Sequence, residues 1–246
     1  MFEFMLKNVE KMSIKYSPNF YTKKRSISKV KYLIFHYTGM KSEIGAIRKL
    51  TDKNSEVSCH YFIKKNGEII KMVPDLYIAW HAGISSWKKD KSLNSKSIGI
   101  EVSNPGHKNG YKHFNFKQIN SIIKLSKILK KKYKIKKSNI LAHSDIAPLR
   151  KKDPGEKFPW RLLSKKKLSI WHNLSERNCK EFRKIKLDNN INFYKLLFKF
   201  GYKYTNNSSD KIKILKNFQR RFRPELISSI VDKECYLILK SLIYLS

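Results

Sequence analysis

Lys31-Tyr-Leu-Ile-Phe-His36 is a short apolar run of branched and aromatic residues that closes on a polar turn at Thr38-Gly39. That pattern predicts a buried strand with a histidine at its end. Working outward, residues 42–50 predict a helix. Val57-Ser-Cys-His-Tyr-Phe-Ile63 alternates, and Lys65-Asn66-Gly67-Glu68 is a hairpin turn leading into residues 69–73. Ser97-Ile-Gly-Ile-Glu-Val102 is a third core strand, and a further strand precedes His143. Residues 116–132 put Phe116, Ile119, Ile122, Ile123 and Leu129 largely on one helical face with lysines opposite. Strands alternating with helices in one stretch predict an α/β domain with a mixed central β-sheet flanked by helices.

The pattern changes after Trp171. Residues 173–188 are polar with few apolar anchors and are expected to be a linker. From residue 189 three short helices are expected: 191–200 ending at Gly201, about 210–222 stopped by Pro224, and one from near Asp232 that carries Leu237, Ile238, Leu242 and Ile243. The expected organisation is a domain over 1–172, a linker over 173–188 and a small three-helix domain over 189–246.

The chain has 246 residues, 41% of them hydrophobic and 13% aromatic, which is enough to build a core and excludes disorder despite the charge. Cys59, Cys179 and Cys235 form an odd set without CxxC spacing, so a disulfide scaffold is excluded. The first twenty residues lack the apolar core and cleavage site of a secretory signal, and no stretch approaches a membrane span. A cytoplasmic protein is therefore expected, with an envelope location as the alternative. The net charge of +35 invites a nucleic-acid reading, but the excess is spread evenly, +24 over residues 1–165 and +11 over 166–246. Nucleic-acid binders concentrate their basic residues on one face or arm, so no nucleic-acid partner is expected, whereas another anionic polymer would suit this charge.

Three positions stand out chemically. His36 ends an apolar strand, His143 lies in Ile140-Leu-Ala-His-Ser-Asp-Ile-Ala-Pro148, and Asp153 opens an Asp-Pro-Gly turn. Two histidines and a carboxylate are what a catalytic zinc site requires, leaving a fourth position open, although the same residues also occur as satisfied structural groups. Glu101 is the one charge in an apolar strand, either an edge residue facing solvent or a general base. Lys151 could place an ammonium beside a developing oxyanion, or be one more surface lysine.

FHYTGM (35–40), VSCHYFI (57–63), AWHAG (79–83), SIGIEV (97–102), AHSDIAP (142–148) and RKKDPGEKFPW (150–160) occur in this order. Together they resemble the zinc-dependent N-acetylmuramoyl-L-alanine amidases of type 2, whose fold is shared with peptidoglycan recognition proteins. The resemblance spans roughly residues 17–172. It implies one Zn2+ held by His36, His143 and Asp153, with Glu101 and Lys151 catalytic. It also implies hydrolysis of the amide between N-acetylmuramic acid, or its anhydro form, and L-alanine of the stem peptide, so peptidoglycan or muropeptides are the expected partners. Leu149 stands where such chains usually have glycine. Cys59 is expected to be a packing thiol. His60 and His81 are expected to be structural or groove-lining, and Tyr37, Trp80 and Trp87 to pack in the core or line the groove; Tyr37, Trp80 and His81 are the candidate substrate contacts. His107, His113 and His172 have no special context.

Asn217-Phe-Gln-Arg-Arg-Phe-Arg-Pro-Glu225, followed by Asp232, resembles the three-helix peptidoglycan-binding module often attached to these amidases. Such a module would either raise the effective concentration on a polymeric wall or simply brace the enzyme. The alternative to an amidase is a non-catalytic recognition protein on the same fold, which loss of a ligand or of Glu101 would favour; here every matching position is filled.

Overall fold

The computed structural model describes residues 12–187 and 190–246. The first eleven residues, where the absence of a leader was expected, and the expected boundary between 188 and 189 lie outside the described residues.

A six-stranded sheet is formed by β1 (Met12–Ile14), β3 (Tyr32–Tyr37), β4 (Tyr61–Ile63), β5 (Ile69–Lys71), β9 (Ser97–Val102) and β10 (Ile140–Ala142), while β2 (Phe20–Tyr21) with β6 (Ile78–Ala79) and β7 (Ser86–Trp87) with β8 (Asp90–Lys91) make two small ribbons. The large sheet runs in the order β1-β5-β4-β9-β3-β10 and is parallel except for the β4–β5 hairpin, so it is mixed as expected. The helices are α1 (Glu43–Thr51), α2 (Phe116–Lys132), α3 (His143–Ile146), α4 (Trp160–Lys165), α5 (Glu176–Phe182), α6 (Ile191–Phe200), α7 (Ser208–Phe222) and α8 (Lys233–Leu245). Ser42 caps α1, and Asn115 with Gln118 forms a capping box on α2, which is why these helices begin where the sequence places them. Among the described residues no helix is long and apolar enough to cross a membrane.

The period-two alternation of the central strands divides the interior. Leu33 and Phe35 of β3 and Ile98, Ile100 and Val102 of β9 face Ile122, Leu125 and Leu129 of α2. On the opposite face Tyr32, Ile34 and Leu141 share one core with Phe193, Leu197, Phe218 and Leu242 of α6, α7 and α8. Each such fully buried side chain contributes about 1.5–3 kcal/mol. Several of them lie in this shared core, so the C-terminal helices pack directly against one face of the sheet.

Two expectations change. The strand expected over 57–63 is only Tyr61–Ile63. The His60 carbonyl accepts from both Met72 N (2.9 Å) and Val73 N (3.4 Å), two residues against one, and Ser58 N turns away to Trp80 O. The stretch expected as a linker over 173–188 contains α5, buries Cys179, and sends Arg183 to Glu234 at 2.7 Å. Its charged composition reads as solvated, yet the Glu234 that pairs with Arg183 lies fifty-one residues away in sequence.

Candidate metal centre and active site

Parallel pairing sets the site. In the β3–β9 register Tyr32 lies opposite Ser97, Ile34 opposite Gly99 and His36 opposite Glu101, while β10 pairs Ala142 with Phe35. His36, Glu101 and the residue after β10, His143, therefore emerge at neighbouring carboxyl ends of parallel strands, where open α/β sheets place their ligands. Asp153 reaches the same point because its carbonyl accepts from Ser144 N at 2.9 Å.

His36 Nδ1, His143 Nδ1 and Asp153 Oδ2 converge: 2.9 Å between the two nitrogens, and 3.2 and 2.9 Å from each to the carboxylate. All three residues are buried. A chain of hydrogen bonds fixes what these nitrogens present. Ser97 Oγ donates to Leu93 O (2.6 Å), so its contact with His81 Nε2 (3.1 Å) is one it accepts. Burial and the neighbouring histidines keep His81 neutral, so its Nδ1 is a bare acceptor and takes the Nε2–H of His36 at 3.0 Å. That leaves a lone pair on His36 Nδ1, whose ring burial and the neighbouring His143 hold neutral by lowering its pKa to about 4. On the other side His143 Nε2 donates to Ala82 O at 3.2 Å, the tautomer whose Nδ1 is bare as well.

Two lone pairs and a carboxylate oxygen thus point at one another without a proton between them, an arrangement that repels itself and that a cation converts into coordination. A tetrahedral zinc with bonds of about 2.0–2.1 Å separates its donors by roughly 3.3 Å, close to the spacings here. The donor set and its geometry fit a zinc ion with one side open.

A cleft of about 440 Å³ opens over this group and is lined by His36, Glu101, His143, Lys151 and Asp153 together with Tyr37, Trp80 and His81. Glu101 is the anomaly within it. Its Oε2 is buried and has no protein hydrogen-bond partner. Burial first, and then the Asp153 charge, push its carboxyl up to about 8, with Lys151 and Lys49 opposing. His81 borders the cleft but both of its ring nitrogens are engaged, and it fits only because Gly99 lies beneath it; a Cβ there would meet the imidazole Cγ at 2.4 Å. Tyr37 OH meets His107 Nδ1 at 2.9 Å, and His107 Nε2 meets Glu156 at 3.0 Å. His107 is thus a rim residue that sequence context did not single out. Arg150 was also missed; it grips the 82–84 loop through Ala82 O and Ile84 O. Cys59 is a buried thiol against Met72, as a packing role requires. Trp87 packs in the core on Phe200 and Tyr202.

The sequence profile described as N-acetylmuramoyl-L-alanine amidase (Amidase_2) matches residues 26–156. The N-acetylmuramoyl-L-alanine amidase AmiD of Escherichia coli K12 is 34% identical over 232 residues, covering 87% of this chain and 83% of the relative. The 1,6-anhydro-N-acetylmuramyl-L-alanine amidase AmpD of Haemophilus influenzae is 39% identical over 105 residues, 42% of this chain and 55% of its own length. The solved structure of E. coli AmiD with anhydro-N-acetylmuramic acid-L-Ala-D-gamma-Glu-L-Lys superposes with a TM-score of 0.79 at 31% identity, covering 91% of this chain and 92% of that one.

Proposed function

This chain belongs to the N-acetylmuramoyl-L-alanine amidase family, and from that premise we propose that it is a zinc-dependent amidase in which His36, His143 and Asp153 hold the metal and Glu101 and Lys151 do the proton and charge work. It hydrolyses the amide between the muramyl lactyl group and L-alanine in peptidoglycan turnover, on peptidoglycan or muropeptides, including anhydro forms. The observation that carries the reading is the convergence of two bare Nδ1 atoms and a carboxylate beside Glu101, whose Oε2 is buried without a protein partner.

When bound, zinc supplies Lewis acidity to the scissile carbonyl and to the attacking water. The protein does the rest. Glu101 lies across the strand pair from His36, with a free oxygen in the cleft, so it takes a proton from water as that water attacks. Its burial favours the protonated form that it then holds, ready to pass the proton to the departing alanine nitrogen. Lys151 enters the cleft beside Asp153 and donates to the developing oxyanion. Tyr37 and Trp80 offer ring faces along the rim to the sugar and peptide. Beyond Lys151, a groove lined by Arg150, Lys152, Lys213 and Lys216 gives the carboxylates of a stem peptide an attractive field. We keep the division into a catalytic unit and a C-terminal helical unit as part of this proposal.

The test is mass spectrometry of products from muropeptides incubated with the purified protein. Free stem peptides beginning with L-alanine, lost on chelation and restored by zinc, are expected. Intact muropeptides in the presence of bound zinc overturn the reading.

A further inference from the structure

We infer that α7 of the C-terminal helical unit is a positioning element for the catalytic loop, and that the polar residues from Asn217 to Arg223, at and just past its end, are used in gripping the protein rather than in reading a glycan. Asn217, Arg220 and Arg221 lie at spacings of three and four residues, hence on one face of α7, and all three are buried. That face meets residues 140–156, the segment that carries His143, Lys151 and Asp153.

The Asn217 amide donates one hydrogen to Pro148 O (2.7 Å) and the other to Lys151 O (3.0 Å), while its oxygen accepts from Arg220. Both amide hydrogens are committed to the two ends of one turn, and the third bond fixes which way the amide faces. Arg220 Nε also donates to Glu156 Oε2 (3.1 Å), the carboxylate that meets His107 and through it Tyr37 on the cleft rim. Arg221 binds Asp145 and donates to Ile140 O at 2.9 Å; Asp145 in turn accepts from Ala142 N, the residue before His143. The polar residues between and beyond these are consumed too. Gln219 donates to Ile230 O and accepts from Ser228 N, and Arg223 pairs with Asp232 and Glu234. Leu149, where the resembled turn has glycine, packs on the core shared with the C-terminal helices.

The loop's other holds lie elsewhere along it: Arg150 N and Lys151 N share the single carbonyl of Ala147, Ser144 N donates to the Asp153 carbonyl, and the Arg150 side chain grips the 82–84 loop. Asn217 is the group that donates to the Lys151 carbonyl. Displacing reacting groups by about 1 Å can cost on the order of 10²-fold in rate, so a brace that fixes the Lys151 backbone acts directly on turnover.

This inference rests on the amidase reading only in naming the loop that matters, and its test separates the two. Asn217→Leu keeps the branching and the number of heavy atoms of the side chain but cannot donate. Its control is Ile238→Ala, which opens the core of the helical unit from α8 and removes no polar bond to the loop. Four experiments are compared in full-length protein at matched losses of Tm: steady-state kinetics (kcat and KM) on a soluble muropeptide, the rate of zinc loss to a competing chelator, hydrogen exchange of the 150–153 amides, and co-sedimentation with purified sacculi. The brace predicts for Asn217→Leu a roughly tenfold lower kcat with KM little changed, faster zinc loss and faster amide exchange, with sacculus binding retained; Ile238→Ala should show none of these. Equal behaviour of the two variants overturns the inference. So does an Asn217→Leu protein that keeps kcat and releases sacculi, because the stretch would then read the wall. If the unaltered protein cleaves nothing, the amidase reading fails, while zinc loss and amide exchange still decide the brace.

Discussion

Around the end of β3 the buried polar atoms face one another incompletely: two bare imidazole nitrogens, a carboxylate between them, and a Glu101 oxygen without a partner. Between the end of α7 and the start of α8 the buried acids meet opposites, Asp232 with Arg223, and Glu234 with both Arg223 and Arg183. Both regions remove charge from water, which costs several kcal/mol per ion unless something compensates. In the second the compensation is internal and yields architecture. In the first it must come from a ligand, and the same cost becomes binding and reactivity. Substitutions in the first should therefore remove activity and spare the fold, and those in the second should do the reverse.

Glu101→Gln is the strongest way to break this contrast. It keeps shape and removes the ionisable oxygen, so turnover of muropeptide should fall roughly 10³-fold. The thermal midpoint should stay level or rise, since a carboxyl that burial holds near 8 is no longer there to ionise. A midpoint several degrees lower would mean that Glu101 holds structure. Arg223→Met tests the other region. It leaves Asp232 buried without its cation and Glu234 with Arg183 alone, at a cost of about 3–5 kcal/mol in urea unfolding. Little change in stability would mean these pairs are dispensable.

Gly99→Ala acts where the first region meets its support. The new Cβ would lie 2.4 Å from the His81 ring, so His81 must leave the bond that directs His36 Nδ1 toward the metal. Zinc affinity, read by chelator competition, should fall about 10–100-fold, as loss of such outer hydrogen bonds typically does. Unchanged affinity would show that the orientation of His36 is set without His81.

Asp75 sharpens the contrast because it lies in the sheet-bearing region yet is internally complete. Burial would raise its pKa, but hydrogen bonds from Lys132, Tyr133 and Tyr61, with the Lys132 charge, lower it from 3.8 to about 2. A carboxylate depressed in the folded state adds stability that is present above its unfolded pKa and lost as pH falls through the folded one. Stability should thus drop by roughly 2 kcal/mol between pH 4 and 2, and Asp75→Asn should flatten that limb of the unfolding curve. An unaltered acid limb would remove Asp75 from the structural group.

The first region was largely legible in the sequence, because a polar residue in a strand of period two advertises itself: His36 ends YLIFH, and Glu101 interrupts SIGIEV. The capped helices were legible for similar local reasons. What escaped was set by contacts distant in sequence. His107 gains its meaning only from Tyr37 and Glu156, and Asn217 from a turn sixty-six residues earlier. The arginines of α7 look solvated in a chain so rich in lysine, and residues 173–188 look like a linker. In both cases the acid that buries them lies on another element.

The smallest effect belongs to a bond that joins α4 to α5 across the surface. Arg161 donates to Glu176 at 2.8 Å, yet their side chains are 58% and 74% exposed. Arg161 lowers the Glu176 carboxyl below its ordinary value, so the attraction exists. Water and salt screen it, and two long side chains lose freedom in making it, which is why exposed pairs contribute little. Glu176→Ala should leave the unfolding midpoint and kcat within experimental error at both low and physiological salt. If the midpoint instead falls and salt abolishes the difference, surface charge helps hold the helical unit to the sheet. Burial would then no longer suffice to tell which charges matter for the fold, and the +35 surface would have to be counted among them.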